Sequence, residues 1–363
     1  MHKDSQWTDI ANYEVVSIIG QGTYGVVKEA VHKPTGTKVC LKETELVKKA
    51  GEENDYVFSV MVREVHALTS LSECPYVINL LAVATEASNH VHSAARRGRP
   101  QVKIFKRCWL VLEYSDHDLD KLLRQHRSPF RPADIKRLVT QLLVSEVALW
   151  GAHRFHRDLK PANILYSNDG KIRVTDFGLS CKISPAPLFH TPQMVTLWYR
   201  APEVCLSSSA YTEYVDMFSI GLVILHLLKG SPILRPQRES AMIDMCVGLI
   251  GAPSHRECRE LDSLCGVSSR SALLLPTSSA PESIEKRAMR LRQRVPTLAN
   301  KEYAGLDQLI VQCLTWVPYE RPTPSEALEH PWFQQAPAPT PEALMPSFPA
   351  SHIRRQRKKS RNN

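Results

Sequence analysis

Residues 156–179 constrain this chain more than any other stretch. They read His156-Arg157-Asp158-Leu159-Lys160-Pro161-Ala162-Asn163, then twelve intervening residues, then Asp176-Phe177-Gly178-Leu179. Between the two blocks, Ile164-Leu165-Tyr166 and Ile172-Arg173-Val174-Thr175 flank an Asp169-Gly170 dipeptide. Apolar and β-branched residues on both sides of Asp-Gly predict a hairpin, which would bring Asn163 and Asp176 towards each other. One carboxylate can take a hydroxyl proton and a lysine can face a phosphate. An amide and a second carboxylate can hold a hard cation, which completes the set of groups that phosphoryl transfer asks of a protein.

Together the blocks resemble the signature set of the eukaryotic protein kinases. The resemblance implies Asp158 as catalytic base, Lys160 as phosphate contact, Asn163 and Asp176 as Mg²⁺ ligands, and ATP as phosphate donor. It also implies an α+β, bilobal protein kinase fold over residues 13–333: a small β-rich lobe with one regulatory helix (about 13–113) and a larger helical lobe (about 116–333).

Residues 1–12 form a polar extension expected to be loosely held. Strand-like Val15 to Ile19 leads into Gly20-Gln21-Gly22-Thr23-Tyr24-Gly25-Val26-Val27. GxGxxG on its own could equally open a dinucleotide-binding fold, but a second strand follows here instead of a helix, which favours a glycine-rich hairpin over phosphates. By resemblance Ile19, Gly20, Gly22, Gly25, Val27 and Cys40 surround the nucleotide, and Lys42 contacts its α- and β-phosphates. Cys40 stands where the family has Ala, and reads as a small packing residue or as a nucleotide-shielded thiol. Apolar residues at helical spacing from Phe58 to Leu71 predict the regulatory helix, where Glu64 pairs with Lys42. The apolar run ending Leu112-Glu113-Tyr114-Ser115 marks the hinge, with Leu112 at the back of the pocket and Glu113 to Ser115 facing adenine. Asp118 and Leu165 complete the nucleotide contacts.

Ser59-Val60-Met61-Val62-Arg63-Glu64 is similar to the cyclin-contacting helix of the cyclin-dependent kinases, and the resemblance extends to the segment before Ala201-Pro202-Glu203. There Thr191 lies fifteen residues after Asp176, the family position of an activating phosphothreonine set by an upstream kinase, and Met194 to Arg200 resembles the substrate platform. Arg63 and Arg157 are the implied phosphate partners, Cys181 replaces the third basic residue, and Arg157 would be a buried charge in need of that phosphate. Thr23 and Tyr24 match an inhibitory pair. The resemblance implies a cyclin-type subunit, protein substrates with Ser/Thr-Pro, and a cell-cycle or transcriptional role. Asp216 should brace the catalytic-loop backbone, and Glu203 should pair with Arg321. Two other classes share part of this pattern: a mitogen-activated-type kinase, which would have Thr-x-Tyr where Thr191-Pro192-Gln193 stands, and a pseudokinase scaffold binding a cyclin or nucleic acid, which the intact catalytic residues oppose.

The 46 Lys and Arg against 37 Asp and Glu are unevenly spread: residues 96–107 and 354–361 each hold six basic residues. The first group belongs to an insertion, residues 86–107, that reads as a solvated loop. Residues 334–363, Pro-rich and then basic, are expected to be disordered, the basic part serving nuclear import, phosphate-backbone contact with nucleic acid, or solubility alone. Nine cysteines without CxxC pairs suggest reduced thiols. No apolar run follows Met1-His2-Lys3-Asp4 and none is long enough for a bilayer, so a nuclear or cytoplasmic protein with no membrane contact is expected.

Overall fold

A computed structural model describes residues 6–22, 25–45, 55–86, 90–92, 103–105, 107–126, 129–183, 197–206, 211–265 and 276–349. The chain divides into two compact units, Met1–Ser115 with Asp176–Leu179, and Asp116–Thr175 with Ser180–Asn363.

The first unit is a sheet with one helix. Its strands are β1 (Gln6–Asp9), β2 (Tyr13–Gly22), β3 (Gly25–His32), β4 (Thr37–Glu45), β5 (Leu80–Thr85) and, after a small hairpin of β6 (His90–His92) and β7 (Lys103–Phe105), β8 (Arg107–Glu113); α1 (Asp55–Ser70) follows β4. The sheet order is β1-β5-β8-β4-β3-β2. Ala30, Val39, Leu41, Ala82, Ala84, Trp109 and Val111 form a core cluster of this unit, with Val39 and Leu41 on the face of β4 opposite Cys40 and Lys42. The insertion thus contains a paired hairpin, His90 to His92 against Lys103 to Phe105, where a loop was expected. The amino-terminal extension also departs from expectation: Gln6 to Asp9 pair in parallel with Ala82 to Thr85. Strand β1 satisfies the open edge of β5, and the chain beyond it is tied down because Ile10 and Tyr13 pack on the core cluster.

The second unit is mostly helical. It contains β9 (His117–Asp118), α2 (Leu119–Gln125), α3 (Pro132–Gly151), β10 (Arg154–Phe155), β11 (Ile164–Tyr166), β12 (Ile172–Val174), β13 (Cys181–Lys182), α4 (Pro202–Cys205), α5 (Tyr214–Lys229), α6 (Glu239–Ile250), α7 (His255–Cys265), α8 (Ile284–Arg294), α9 (Leu306–Cys313) and α10 (Pro324–Leu328). Every residue of α5 from Val215 to Leu228 is buried, as expected of a helix apolar all round. It ends on Gly230, whose φ of 71° is a left-handed cap that glycine adopts without strain. The hairpin read from the Asp-Gly dipeptide is β11–β12, with β9 added on the far edge of β11. Among the described residues no helix is long and apolar enough to cross a membrane.

The carboxy-terminal expectation needs correction. Residues 334–349 are ordered along the second unit rather than disordered. Thr340 Oγ1 donates to Asp134 at 2.6 Å, Arg137 Nε to Thr340 O at 2.6 Å, and Gln141 Nε2 to Glu342 Oε1 at 3.0 Å. Composition misleads here because an extended Pro-rich segment has no apolar period, yet can be held through backbone carbonyls and a few anchors. Residues 350–363 lie outside the described residues.

Candidate active-site residues

In the first unit, strand β4 carries Lys42 opposite Val27 of β3 and Leu110 of β8. Its Nζ meets both oxygens of Glu64 at 2.7 Å and Asp176 Oδ1 at 2.8 Å. Burial would lower the pKa of this ammonium, but the charges of Glu64 and Asp176 outweigh it and hold Lys42 above the ordinary lysine value. The lysine is therefore a fixed cation. Glycine makes the α1 side of this arrangement possible: a Cβ on Gly178 would stand 2.7 Å from Val60 Cγ1 and 3.7 Å from Glu64 Oε2. Asp176 itself has φ of 69°, a left-handed conformation that costs energy in a non-glycine residue and collects at functional sites.

The glycine-rich hairpin has a second rationale beyond leaving room for phosphates. Gly20 pairs with Val27 and Gly22 with Gly25. A Cβ on Gly25 would come 1.8 Å from the carbonyl oxygen of Glu43, so this glycine is required by strand packing. Ile19 lies at a bulge of the β2–β3 pairing. Cys40 pairs in register with Leu112, and burial pushes its thiol up to about 12. A thiol so far from ionisation is a poor nucleophile, which supports the packing reading over the reactive one. At the hinge, the Glu113 N–H donates to Asn79 O and the Asn79 amide donates back to Glu113 Oε2, both at 3.0 Å. Adenine would have to use the groups after that amide, towards Ser115.

In the second unit, the catalytic-loop residues converge on Asp158. Lys160 Nζ reaches Asp158 Oδ2 at 2.7 Å, and the Asn163 amide donates to Asp158 O at 2.8 Å and Oδ2 at 2.9 Å. Both partners of Asn163 Nδ2 are acceptors, which fixes the amide orientation and turns its oxygen the other way, where it can serve a hard cation. Asp176 offers carboxylate oxygen. Each of these oxygens, taken singly, is a donor of the kind that a hard cation takes. Among the described residues no group of three or more His, Cys, Asp or Glu could form a protein-only metal cage. The loop is held from below: Asp216 accepts from the His156 N–H and from the Arg157 N–H at 2.9 Å. His156 Nδ1 accepts from the Asp158 N–H at 3.2 Å, so Nε2 is the nitrogen that donates to Thr175 O at 3.0 Å.

Other expected residues fall differently. Asp118 caps α2, accepting from Lys121 N at 2.7 Å and meeting Lys121 Nζ at 2.7 Å, so a ribose hydroxyl would share it with the helix. Arg157 is half-buried rather than buried, and its Nη1 donates to Tyr211 OH at 3.1 Å, a partner that the sequence did not suggest. Arg63 turns back on its own helix, Nε to Ser59 O at 3.2 Å. Cys181 pairs with Phe155 in the β10–β13 bridge. Thr23, Tyr24, Thr191 and residues 194–196 of the platform lie outside the described residues.

The family model described as the protein kinase domain matches residues 13–333. The chain is similar to a probable cyclin-dependent kinase 10 of Dictyostelium discoideum, 32% identical over 357 residues that cover 98% of this chain and 88% of that one. The chain belongs to the cyclin-dependent kinase family of protein kinases. Human cyclin-dependent kinase 10 matches at 31% identity over 98% of this kinase and 88% of its own length. Among solved structures, a chain of the CAK complex from Chaetomium thermophilum bound to ATP-gamma-S aligns with a TM-score of 0.74 and 26% identity, covering 93% of this kinase and 96% of that chain. A protein kinase domain binds ATP, so a nucleotide site belongs to this chain.

Sequence reading missed Glu146. It sits on α3 at the spacing of Leu142 and Leu149, where an apolar residue would be expected, and is fully buried. Neither carboxylate oxygen has a hydrogen-bond partner. Burial, then the charge of Asp216, pushes its carboxyl well above the ordinary value, and burial likewise pushes Asp216 up to about 6, opposed by His156 and the catalytic-loop amides. Both acids hold protons more tightly folded than unfolded. Stability is therefore greatest below the unfolded carboxylate range and is lost as pH rises towards the folded values. Glu146→Gln removes the ionisable member and should make the variant more stable than the parent at pH 8 by more than at pH 5, since proton linkage costs the parent up to about 1.4 kcal/mol per pH unit above the unfolded carboxylate range. Melting curves between pH 5 and 8 would show the gap between variant and parent widening with pH; a constant gap would refute the proton linkage.

Proposed function

We propose that this kinase transfers the γ-phosphate of ATP to Ser or Thr followed by Pro in protein substrates, as the catalytic subunit of a complex with a cyclin-type partner. The observation that carries the reading is the assembled catalytic loop, in which Lys160 and Asn163 both hold Asp158 Oδ2 within 2.9 Å. A carboxylate so placed can accept the substrate hydroxyl proton while Lys160 offsets charge on the transferred phosphoryl group. Lys42, locked by Glu64 and Asp176, is the cation for the α- and β-phosphates. Asn163 and Asp176 would hold Mg²⁺, which neutralises phosphate charge when bound. Transfer then depends mainly on alignment, because the phosphoryl group needs little covalent help.

Specificity for Ser and Thr rests on Lys160 in the catalytic loop, and for Pro on the platform residues up to Arg200: a substrate N–H without an acceptor there favours proline, which has none. The cyclin-type partner, an upstream kinase acting on Thr191, a cell-cycle or transcriptional role in nucleus or cytoplasm, and nucleic-acid contact by the basic tail belong to the same reading. Relatives named cyclin-dependent kinase support it. The test uses protein isolated from its cells with its partner bound, radiolabelled ATP with Mg²⁺, and matched peptides containing Ser-Pro, Thr-Pro, Ser-Ala or Tyr-Pro. Label should enter the first two and be at least about tenfold weaker in Ser-Ala, a factor worth about 1.4 kcal/mol. Equal labelling of Ser-Ala would overturn the proline preference, and labelling of Tyr-Pro the Ser/Thr preference.

A further inference from the structure

The ordered segment 334–349 ends in an anchor. The Phe348 ring lies among His126 (centroids 5.1 Å apart), Phe130 (5.8 Å), Tyr166 (5.9 Å) and His117 (6.0 Å). Its backbone is clasped on both sides: Phe348 N donates to Asn168 Oδ1 at 2.8 Å, and Asn168 Nδ2 donates to Phe348 O at 3.0 Å, within reach of His117 Nε2 at 3.2 Å. Tyr166 OH donates to Pro346 O. Six residues upstream of Pro346, Thr340 is latched to Asp134.

What this anchor presses on matters more than the anchor itself. Tyr166 pairs with His117 and Leu165 with Asp118 across β11 and β9. Successive side chains of a strand point to opposite faces. Tyr166 and His117 are buried towards Phe348, while Leu165 and Asp118 are partly exposed on the other face. The segment therefore buttresses the back of the β9–β11 edge of this three-stranded sheet, whose front carries Leu165 and Asp118. Strand β11 is also held by three pairs with β12, whereas β9 joins the sheet through these two pairs alone, so within the sheet β9 with its Asp118 is the less firmly fixed strand.

We infer that residues 334–349 form a strap that positions the nucleotide floor, with Phe348 a positioning residue that acts on ATP binding through Tyr166 and His117. The inference rests on the reading of Leu165 as a nucleotide contact. Loss of the strap lets the short ladder shift under the base, and a small displacement is enough to weaken a fitted contact. The strap is also releasable. A carboxylate at position 340 would face that of Asp134 and undo the latch without touching the aromatic cluster.

The experiment measures equilibrium binding of an ATP analogue carrying an N-methylanthraniloyl fluorophore, and the KM for ATP, on the full chain well below its melting temperature. Phe348→Ala and, independently, Thr340→Glu should each raise Kd and KM for the nucleotide about fivefold, equivalent to about 1 kcal/mol, with kcat nearly unchanged. Phe348→Tyr should restore the parent values. Leu165→Ala is the control for the floor. If it weakens nucleotide binding and the two strap variants do not, the strap is only a stabilising contact and the inference falls. If Leu165→Ala leaves binding unchanged, the floor reading fails first and takes the inference with it.

Discussion

Asp158→Asn is expected to lower phosphate transfer about 10²–10⁴-fold, the usual contribution of a positioned proton acceptor, while leaving the fold and nucleotide binding close to those of the parent. The contacts of Asp158 with Lys160 and Asn163 are local. Lys160 and Asn163 both reach for Oδ2 of Asp158, and an asparagine in the same place can turn its amide oxygen to them. The loop also keeps its supports, since the Asp158 N–H bonds to His156 and the neighbouring amides bond to Asp216 through the backbone. What disappears is the basic oxygen that receives the proton of the attacking hydroxyl. Radiolabel transfer to a Ser-Pro peptide, compared with the thermal melt and fluorescent-nucleotide affinity of the same preparation, separates the two effects. Persisting transfer at parental rate would remove Asp158 as base. A lost melt would instead mean that the carboxylate is structural.

The residues that the sequence made legible share one property: their chemistry is set by neighbours within a few positions. Asp158, Lys160 and Asn163 lie within one loop, and the hairpin after them follows from Asp169-Gly170. Lys42 with Glu64 was legible only because a helix with the right apolar spacing supplied the partner, and the structure puts the two at 2.7 Å. The readings that failed depend on distant contacts. Strand β1 exists because β5 offers it an edge some seventy residues away in the chain, about which residues 6–9 say nothing by themselves. The strap is held by Asp134, Gln141 and Asn168, none of which advertises a Pro-rich partner. Arg157 found Tyr211 rather than an orphaned interior. Glu146 hid inside a helix whose other residues at that spacing are apolar, and the only signal was a single acid interrupting Leu142 and Leu149.

Arg321→Met should cost about 3–5 kcal/mol of stability, the range found when one partner of a buried ion pair is removed. Both side chains of the Glu203–Arg321 pair are at most 1% exposed and meet at 2.7 Å. The guanidinium does more than neutralise a carboxylate. Its two terminal nitrogens fork onto the two oxygens of Glu203, Nη1 also donates to Tyr214 O at 2.9 Å, Nε to Thr315 O at 2.9 Å, and Nη2 to Trp316 O at 3.3 Å. Its flat face lies 5.0 Å from the centre of the Phe218 ring. One side chain thereby joins α4, which follows the activation segment, to the start of α5 and to the turn after α9. Methionine fills much of the volume but takes the guanidinium away from a buried carboxylate and three carbonyls, and a lysine could not reproduce the fork. Against a total stability of about 5–15 kcal/mol for a folded domain, the loss is large enough to read directly from urea unfolding. The double variant Glu203→Leu with Arg321→Met removes the buried carboxylate together with its cation and should recover part of the loss, because a buried pair is costly chiefly when broken. A single Arg321→Met that unfolds within about 1 kcal/mol of the parent would show that water or a neighbouring cation replaces the guanidinium, and that the pair does not hold these segments together.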